Sequence, residues 1–177
     1  RNFLFRVREL EQMEIEYFIP EGGVEIYGPF HQEWIKESMD YLLSVGIKKE
    51  WLTLNVHADD KLAHYARACT DIEFDFPFGK SELMGIAARG NYDLLCHQTN
   101  SGKSLEYFDE ALKVKYVPHV IEPSLGVDRL FLALLTSCYK SEIVKGETRN
   151  YLSFPPAIAP IKAAILPLVK NDERLTA

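Results

Sequence analysis

The chain has 177 residues, enough for one main domain of about 100 to 150 residues and part of a second. There are 20 Lys and Arg against 26 Asp and Glu, and the net charge of −6 argues against a protein coated for nonspecific nucleic-acid binding, which is basic overall. The 3 cysteines form no CxxC pair, and no apolar run approaches the roughly 20 residues that span a bilayer, which predicts a cytoplasmic protein with reduced thiols and no membrane partner.

The first element is residues 1–18, where alternating polar and apolar side chains predict a long strand ending at the turn Pro20–Gly23. One face of that strand carries Arg6, Arg8, Leu10, Gln12, Glu14 and Glu16. At about 3.3 Å per residue, its cationic and acidic ends lie roughly 25 Å apart, enough to span a nucleotide triphosphate and a small amino acid. Arginines suit phosphates and carboxylates suit an ammonium group. Scattered charge on an exposed sheet face explains this segment equally well.

Two helices are predicted next. Residues 30–45 carry apolar side chains at helical spacing and stop at Gly46, a residue type that commonly ends helices. Residues 59–68 predict a shorter helix.

A hairpin follows, with strands 71–78 and 82–89 joined by a turn at Gly79-Lys80. One face of the second strand carries Gly85, Ala87 and Arg89. Two very small side chains followed by a guanidinium predict a shallow hollow with a charged rim. Tight packing beneath a helix explains the same pattern equally well.

Short strands are predicted at residues 105–107 and 115–117, and another at residues 120–124. A helix then opens at Gly126, and it is the strongest in the chain. Its apolar stripe consists of Val127, Leu130, Phe131, Leu134, Leu135 and Cys138.

The junction between that last strand and the helix is a candidate ligand site. Glu122 and Ser124 share a strand face, Gly126 permits close approach of a ligand to the backbone, and Arg129 lies in the first helical turn. A cation beside a helix N-terminus suits a phosphate or a stacked base, although an arginine there is more often a surface residue. His64, His97 and His119 have no partner at ligand spacing, so the metal ligands stay unassigned.

The C-terminal segment differs in texture. Phe154-Pro155-Pro156 and Pro160 indicate a stiff connector, and Ile161–Val169 is an apolar run typical of a buried parallel strand. A second domain is therefore expected to begin near Ala159.

Four segments resemble glycyl-tRNA synthetases. Arg6–Phe18 is similar to the second strand of motif 2 of the class II aminoacyl-tRNA synthetases in its glycyl form, and Val120–Arg129 is similar to motif 3. Gly85–Leu94 and Leu62–Ala66 also resemble this family. Four such segments in the expected order are far more specific than any one of them.

The resemblance implies an α+β fold in which an antiparallel sheet flanked by helices binds a bent ATP. Residues 1–150 would be the catalytic core, residues 151–158 a linker and residues 159–177 the start of an α/β anticodon-binding domain. The implied activity is ATP-dependent activation of glycine to glycyl-adenylate and transfer to tRNA(Gly), with Mg²⁺ as cofactor and a homodimeric full-length enzyme.

The resemblance also implies two sites, by motif position alone. The ATP-binding residues would be Arg6, Arg8, Leu10, Gly126 and Arg129. The glycine-binding residues would be Glu14, Glu122, Ser124 and Arg89. Arg6 would contact the γ-phosphate, and Arg129 would stack on adenine or reach the γ-phosphate, so these two arginines are the expected catalytic residues.

Two departures from the family pattern bear on activity. Leu10 stands where the family usually has a phenylalanine that stacks on adenine. The chain also opens inside the motif 2 loop, so motif 1 and the first motif 2 strand are missing, and the chain alone is expected to be inactive. The alternative is a noncatalytic synthetase-like module that binds nucleotide or RNA. A class II synthetase for another amino acid is disfavoured by the glycine-type pocket residues.

Overall fold

The computed structural model describes residues 2–166 and 168. The helices are α1 (Val24–Ser44), α2 (Tyr92–Ser101) and α3 (Val127–Cys138). The strands are β1 (Gln12–Glu14), β2 (Tyr17–Ile19), β3 (Leu52–Val56), β4 (Ala68–Phe76), β5 (Gly79–Gly90), β6 (Tyr107–Asp109), β7 (Val114–Tyr116), β8 (His119–Gly126), β9 (Tyr139–Val144) and β10 (Glu147–Leu152). Within the described part of the chain, no helix combines the length and apolarity needed to cross a membrane.

The main sheet has six strands in the order β1-β8-β5-β4-β3, and β2 also pairs with β8. All of its pairings are antiparallel. Strands β6 and β7 form a separate hairpin, and so do β9 and β10. The α+β fold with an antiparallel sheet, predicted from the sequence, is confirmed.

The core lies on one face of this sheet. Side chains of α1, α3 and the central strands form one buried cluster that includes Ile35, Leu42, Ile72, Phe74, Ile86, Ile121, Leu125, Leu130 and Ala133. In addition, His31 of α1 hydrogen-bonds the Ile86 carbonyl of β5 at 3.0 Å. Since side chains alternate along a strand, the residues between these apolar positions face the other way and leave a polar, open face.

The predicted long strand at residues 1–18 is wrong. The chain instead makes a short 3-10 turn at Phe3–Phe5, and within this segment only β1 and the first residues of β2 form strands, both paired with β8. The cause is a tertiary contact, because the Phe5 ring packs edge-on against Phe76 at 5.1 Å and Phe78 at 5.0 Å. Local alternation carries no information about that contact.

The helix predictions have mixed outcomes. Helix α1 ends before Gly46, whose φ of 99° is left-handed, as predicted, but it begins at Val24, six residues before the predicted start. The helix predicted at residues 59–68 is wrong, since only a 3-10 turn at Asp59–Lys61 forms before β4 begins. Helix α2, strand β3 and the β9-β10 hairpin were not predicted.

The strand predictions around the candidate site are confirmed with small shifts. In the β4-β5 hairpin Phe76 pairs with Gly79, so the turn lies at Pro77-Phe78, two residues before the predicted position. Strand β6 shares only Tyr107 with the strand predicted at 105–107, β7 begins one residue before the strand predicted at 115–117, and β8 and α3 form where expected. In α3 the buried side consists of Leu130, Ala133, Ser137 and Cys138, while Phe131 of the predicted apolar stripe is 50% exposed.

The end of the chain differs from the prediction where it is described. Strand β10 extends through Leu152, into the predicted linker at 151–158. Residues 161–166 form no strand, and Ile161, Ile165 and Leu166 are exposed. The rest of the predicted strand and domain start, residues 167 and 169–177, lies outside the described residues.

Candidate functional site

The open face of the sheet brings together residues that are far apart in the chain. The register aligns one row of partners across β1, β8, β5 and β4: Glu14, Ser124, Gly85 and Asp71. The next row across β8, β5 and β4 is Glu122, Ala87 and Cys69. Because residues directly opposite each other in a ladder point to the same face, these side chains share one surface.

A cavity of about 250 Å³ lies at one end of this surface, at the N-terminus of α3. Four of the five residues predicted to bind ATP line it: Arg6, Leu10, Gly126 and Arg129. The fifth, Arg8, is exposed and does not belong to the lining. The cavity therefore combines two arginines with a helix N-terminus, an arrangement that favours an anionic ligand.

Arg129 is held at this cavity by contacts from distant segments. Its Nη1 donates a hydrogen bond to the Glu82 carbonyl at 2.9 Å and lies 3.4 Å from the Glu82 carboxylate. Its guanidinium carbon lies 4.3 Å from the centre of the Phe5 ring, within the range of a cation–π contact. Phe5 lies in the segment predicted as a strand, and its role as a support for Arg129 was missed.

A second cavity, of about 290 Å³, lies beside the first. Glu122, Ser124, Gly85 and Ala87 line it together with residues of β4 and the preceding loop. A methyl group added at Gly85 would lie 3.6 Å from Asp71 Oδ1 and 3.9 Å from Ser124 Oγ. The hollow predicted at Gly85 and Ala87 is therefore a wall of this cavity.

Arg89 lies outside the lining of this cavity, next to its wall residues Glu122 and Tyr65, and has partners on three sides. Its Nη1 donates to Glu122 Oε2, and its Nη2 donates to Asp93 Oδ2 at 2.8 Å. The Tyr65 ring centre lies 4.4 Å from the guanidinium carbon. Burial lowers the pKa of Arg89, but the Glu122 and Asp93 carboxylates raise it by more. The net shift is upward, so the guanidinium stays charged.

Glu122 belongs to a group of three carboxylates. Carboxylate oxygens of Glu14, Glu16 and Glu122 lie within 4.8 Å of one another. Burial raises the pKa of Glu16, and the Glu122 carboxylate raises it further, while Arg89 opposes the shift. Glu14 and Glu122 were predicted as ligands of an ammonium group, whereas Glu16 was placed on the same face without a role. The arrangement is suited to a small cation.

One cluster on the open face was missed by the sequence reasoning. His57 Nε2 donates a hydrogen bond to Asp71 Oδ2 at 2.8 Å, and the Cys69 thiol lies 3.8 Å from Asp71 Oδ1. Burial raises the pKa of Cys69 to about 12, with a further contribution from the Asp71 carboxylate. The Cys-x-Asp spacing within a strand was the available signal, but His57 joins it only through the pairing of β3 with β4.

The chain is similar in sequence to known proteins over most of its length. No protein-family profile matches the chain. The sequence is 49% identical over 170 residues to the glycine–tRNA ligase of Caldanaerobacter subterraneus subsp. tengcongensis, and 48% identical over 171 residues to that of Lachnospira eligens. Each alignment covers 96% of this chain and 36% of the relative, so the chain spans about a third of the length of these relatives.

Two solved structures share the fold. Seryl-tRNA synthetase from Pyrococcus horikoshii, complexed with ATP, matches 77% of this chain and 29% of its own with a TM-score of 0.60 and 14% identity. Giardia lamblia prolyl-tRNA synthetase, in complex with prolyl-adenylate, matches 75% of this chain and 24% of its own with a TM-score of 0.56 and 15% identity. The sheet and helices thus follow the class II synthetase catalytic fold.

Proposed function

We infer that the chain is a segment of a glycine–tRNA ligase, and we propose that it forms much of the site where glycine is activated with ATP before transfer to tRNA(Gly). The sequence similarity to glycine–tRNA ligases covers 96% of the chain at 48 to 49% identity. The activity, the substrates and the partners below belong to the whole protein and are part of this proposal.

One observation carries the proposal: the cavity lined by Arg6 and Arg129 meets the cavity lined by Glu122. Glu82 and Ser124 line both of them. The first cavity offers Arg6 and Arg129 to phosphates, and the second offers Glu122 to an ammonium group. A ligand pair whose reacting ends must touch, such as ATP and an amino acid, fits this arrangement.

In the proposed ATP site, the residues divide by chemistry. Arg6 and Arg129 bind phosphate oxygens, and the positive end of the α3 helix dipole favours the same anion, although the Val127 N–H itself donates to the Glu11 carbonyl. Leu10 is 58% exposed and lines the cavity, so it is available to cover the adenine ring. Arg8 is exposed and lies between Arg6 and Leu10 in the chain. It contributes positive charge near the nucleotide but does not line the cavity.

In the proposed glycine site, Glu14, Glu16 and Glu122 bind the ammonium group, and Ser124 closes the pocket beside them. Arg89 holds the Glu122 carboxylate and balances part of the negative charge. Gly85 and Ala87 put almost no side chain into the cavity, so the substrate would lie directly against the β5 backbone, where an added side chain would clash. Excluding larger amino acids by clash gives strong selectivity without an editing step.

The proposed reaction has two steps. The glycine carboxylate attacks the α-phosphorus of ATP, the bond to the bridging oxygen breaks, and pyrophosphate leaves with glycyl-adenylate formed. The 3′-terminal hydroxyl of tRNA(Gly) then attacks the glycyl carbonyl, and AMP leaves. The protein supplies no nucleophile; its arginines stabilise charge on the transferring group and its carboxylates orient glycine.

Mg²⁺, a homodimer and a cytoplasmic location complete the proposal. Glu82 and Asp128 are the carboxylates that line the ATP cavity, and Mg²⁺ is typically bound by one or two carboxylates together with substrate phosphates. The donor set therefore fits, and the ion would neutralise phosphate charge there.

The test is ATP–pyrophosphate exchange by the full-length protein, with glycine, alanine and serine compared at equal concentration. The proposal expects exchange that depends on glycine and is at least about 100-fold slower with either competitor, since a built pocket discriminates by clash. Exchange with alanine or serine at a similar rate would assign the protein to another amino acid. ATP binding without any exchange would favour the noncatalytic module instead.

A further inference from the structure

The cluster of His57, Cys69 and Asp71 is built by the pairing of β3 with β4. Cys69 and Asp71 are two residues apart on β4 and therefore face the same way. His57 follows β3 directly, and its backbone N–H donates to the Cys69 carbonyl at 3.0 Å, which continues the ladder by one position. One ligand atom from each of the three side chains lies within 4.8 Å of the others.

From this geometry we propose that His57, Cys69 and Asp71 bind one divalent transition-metal ion, with Zn²⁺ the best match. An imidazole nitrogen, a thiolate sulfur and a carboxylate oxygen are the three donor types that zinc accepts in proteins. The Cys69 thiol would release its proton to solvent when the ion binds, since a coordinating thiol is deprotonated. Magnesium and calcium prefer oxygen donors only, so the thiol and the imidazole select against them.

The distances are close to those of a tetrahedral site. Zinc bonds of about 2.0 to 2.3 Å place neighbouring ligand atoms roughly 3.3 to 3.6 Å apart. Cys69 Sγ and Asp71 Oδ1 are 3.8 Å apart. His57 Nε2 and Asp71 Oδ2 are hydrogen-bonded at 2.8 Å, so the ion takes the place of the shared proton and a small side-chain rotation widens that gap.

The surroundings favour a cation. All three side chains line the cavity of about 290 Å³ that contains Gly85. The charged side chains in the same lining are three carboxylates, Asp71, Glu82 and Glu122, and one amine, Lys61. The side chains of His57 and Asp71 are 28% and 14% exposed, so the site is partly shielded but open on one side.

The open side gives the site its chemical character. Three protein ligands with one free position is the pattern of zinc sites that bind water or a substrate atom, whereas purely structural sites use four protein ligands. The fourth position faces the cavity and would take water or a small nitrogen or oxygen donor. The inference does not depend on the proposed activity, because metal binding is measured without substrates.

The experiment uses the full-length protein, stripped with a chelator and then titrated with Zn²⁺ alone or Co²⁺ alone. Zn²⁺ is measured by equilibrium dialysis with elemental analysis. Co²⁺ is measured by its absorption, since thiolate ligation adds an intense near-ultraviolet charge-transfer band. We expect one equivalent of either metal and the thiolate band. In Cys69→Ser, His57→Gln and Asp71→Asn we expect the affinity to fall at least about 100-fold, since even outer-shell losses cost 10- to 100-fold.

Matched controls separate this cluster from other donors. Cys96→Ser and His97→Ala remove a cysteine and a histidine on α2. Glu16→Gln removes one charge from the group of Glu14, Glu16 and Glu122. All three variants should bind Zn²⁺ with the parent's affinity. A thermal shift by Zn²⁺ in the parent that is absent in Cys69→Ser gives a second readout that requires no activity. The proposal is overturned if the parent binds no stoichiometric metal, or if Cys69→Ser keeps the parent's affinity, in which case His57 and Asp71 form a hydrogen bond only.

Discussion

The guanidinium of Arg89 donates a hydrogen bond to the carboxylate of Glu122, although 33 residues separate them in the chain. Both side chains are largely shielded from solvent, at 22% and 11% exposure. Carboxylates that share a small site repel each other unless a cation lies between them. Glu122 already has a cation beside it, so the proposed glycine site would be electrostatically prepared before its substrate binds.

Glu122→Gln tests this arrangement. The change keeps the shape of the side chain but removes the charge that faces both Arg89 and the proposed ammonium group. Losing one charged partner in a shielded site costs about 2 to 4 kcal/mol, so glycine affinity should fall about 30- to 1000-fold while ATP affinity stays within about twofold. Isothermal titration of the full-length protein with each ligand separately measures both.

The matched control for that change is Glu142→Gln. Glu142 also pairs with an arginine, Arg149, but on the exposed β9-β10 hairpin. Surface pairs contribute little, so neither affinity should change. Equal losses of glycine and ATP affinity in Glu122→Gln would mean that Glu122 supports the fold and does not select glycine.

Arg129→Ala should weaken the use of ATP much more than the use of glycine. The guanidinium lines the proposed nucleotide cavity and is held by Phe5 and Glu82, so alanine removes a charge that is already positioned. A charge-assisted contact is worth roughly 1.5 to 3 kcal/mol, which predicts an increase of about 10- to 150-fold in the KM for ATP or an equal loss of kcat/KM. ATP–pyrophosphate exchange at varied ATP and saturating glycine measures it, and unchanged KM and kcat for ATP would contradict the proposed site.

Leu10→Phe should improve ATP affinity. Leu10 is 58% exposed and lines the proposed nucleotide cavity, so a larger ring has space. Aromatic stacking is worth about 1 to 3 kcal/mol per base, and leucine already supplies the apolar part, so a gain of a few-fold is expected. Titration with ATP measures the change. Weaker ATP binding by a variant that unfolds at the same temperature as the parent would show that the adenine lies elsewhere.

The part of the site around β8 and α3 could be predicted from the sequence because local rules determine it. Alternation along a strand placed Glu122 and Ser124 on one face, and a glycine before an apolar stripe placed Arg129 in the first helical turn. The register confirms the face, since Ser124 lies opposite Gly85. Residues 85–89 were predicted equally well for the same reason.

The parts that could not be predicted depend on contacts between distant segments. Arg129 and Phe5 are 124 residues apart, and their contact accompanies a 3-10 turn at Phe3–Phe5 in which Phe5 packs on Phe76. The cluster of Cys69 with His57 requires the pairing of β3 with β4, and β3 was not predicted. Hydrophobic periodicity is a local signal and carries neither the register of neighbouring strands nor their order.

Gly85→Ala tests whether the cavity wall formed by Gly85 limits the size of the substrate. The added methyl group would meet Asp71, Glu82 and Ser124 at 3.6 to 3.9 Å, which is ordinary van der Waals distance, so the fold should tolerate it. The same methyl group enters the proposed glycine pocket, so the KM for glycine should rise by about 10-fold or more, as expected for one carbon in a tight site. Exchange kinetics and thermal unfolding measure the two effects separately.

Gly90→Ala is the contrasting change on the same strand. Its φ is 66°, and an added methyl group would lie 2.7 Å from Arg67 Nε. A left-handed alanine costs about 1 to 2 kcal/mol, so this variant should lose stability in chemical denaturation. If Gly85→Ala were destabilised to the same degree, its kinetic defect would be a folding effect and the size argument would be contradicted.

The last prediction concerns Glu16, whose role was not predicted and whose pKa is raised by burial and by the nearby Glu122 carboxylate from an ordinary value of 4.5. An acid with a raised pKa keeps its proton to a higher pH, so Glu16 is neutral at a pH where ordinary glutamates are already charged. The proposed ammonium site therefore loses one negative charge as the pH falls through this raised value, and glycine affinity should decrease over the window that begins above 4.5. Glu16→Gln should remove this dependence and, at neutral pH, lower glycine affinity by no more than about fivefold, because neighbouring groups shield the carboxylate only in part and solvent still screens most of its charge. Titration of the full-length protein with glycine between mildly acidic and neutral pH measures both effects. Glu50→Gln, at an exposed glutamate in the 3-10 turn Lys49–Trp51, is the control and should keep the parent's profile. If Glu16→Gln shows the same loss of affinity at acidic pH as the parent, then another group controls the pH dependence and Glu16 does not face the substrate.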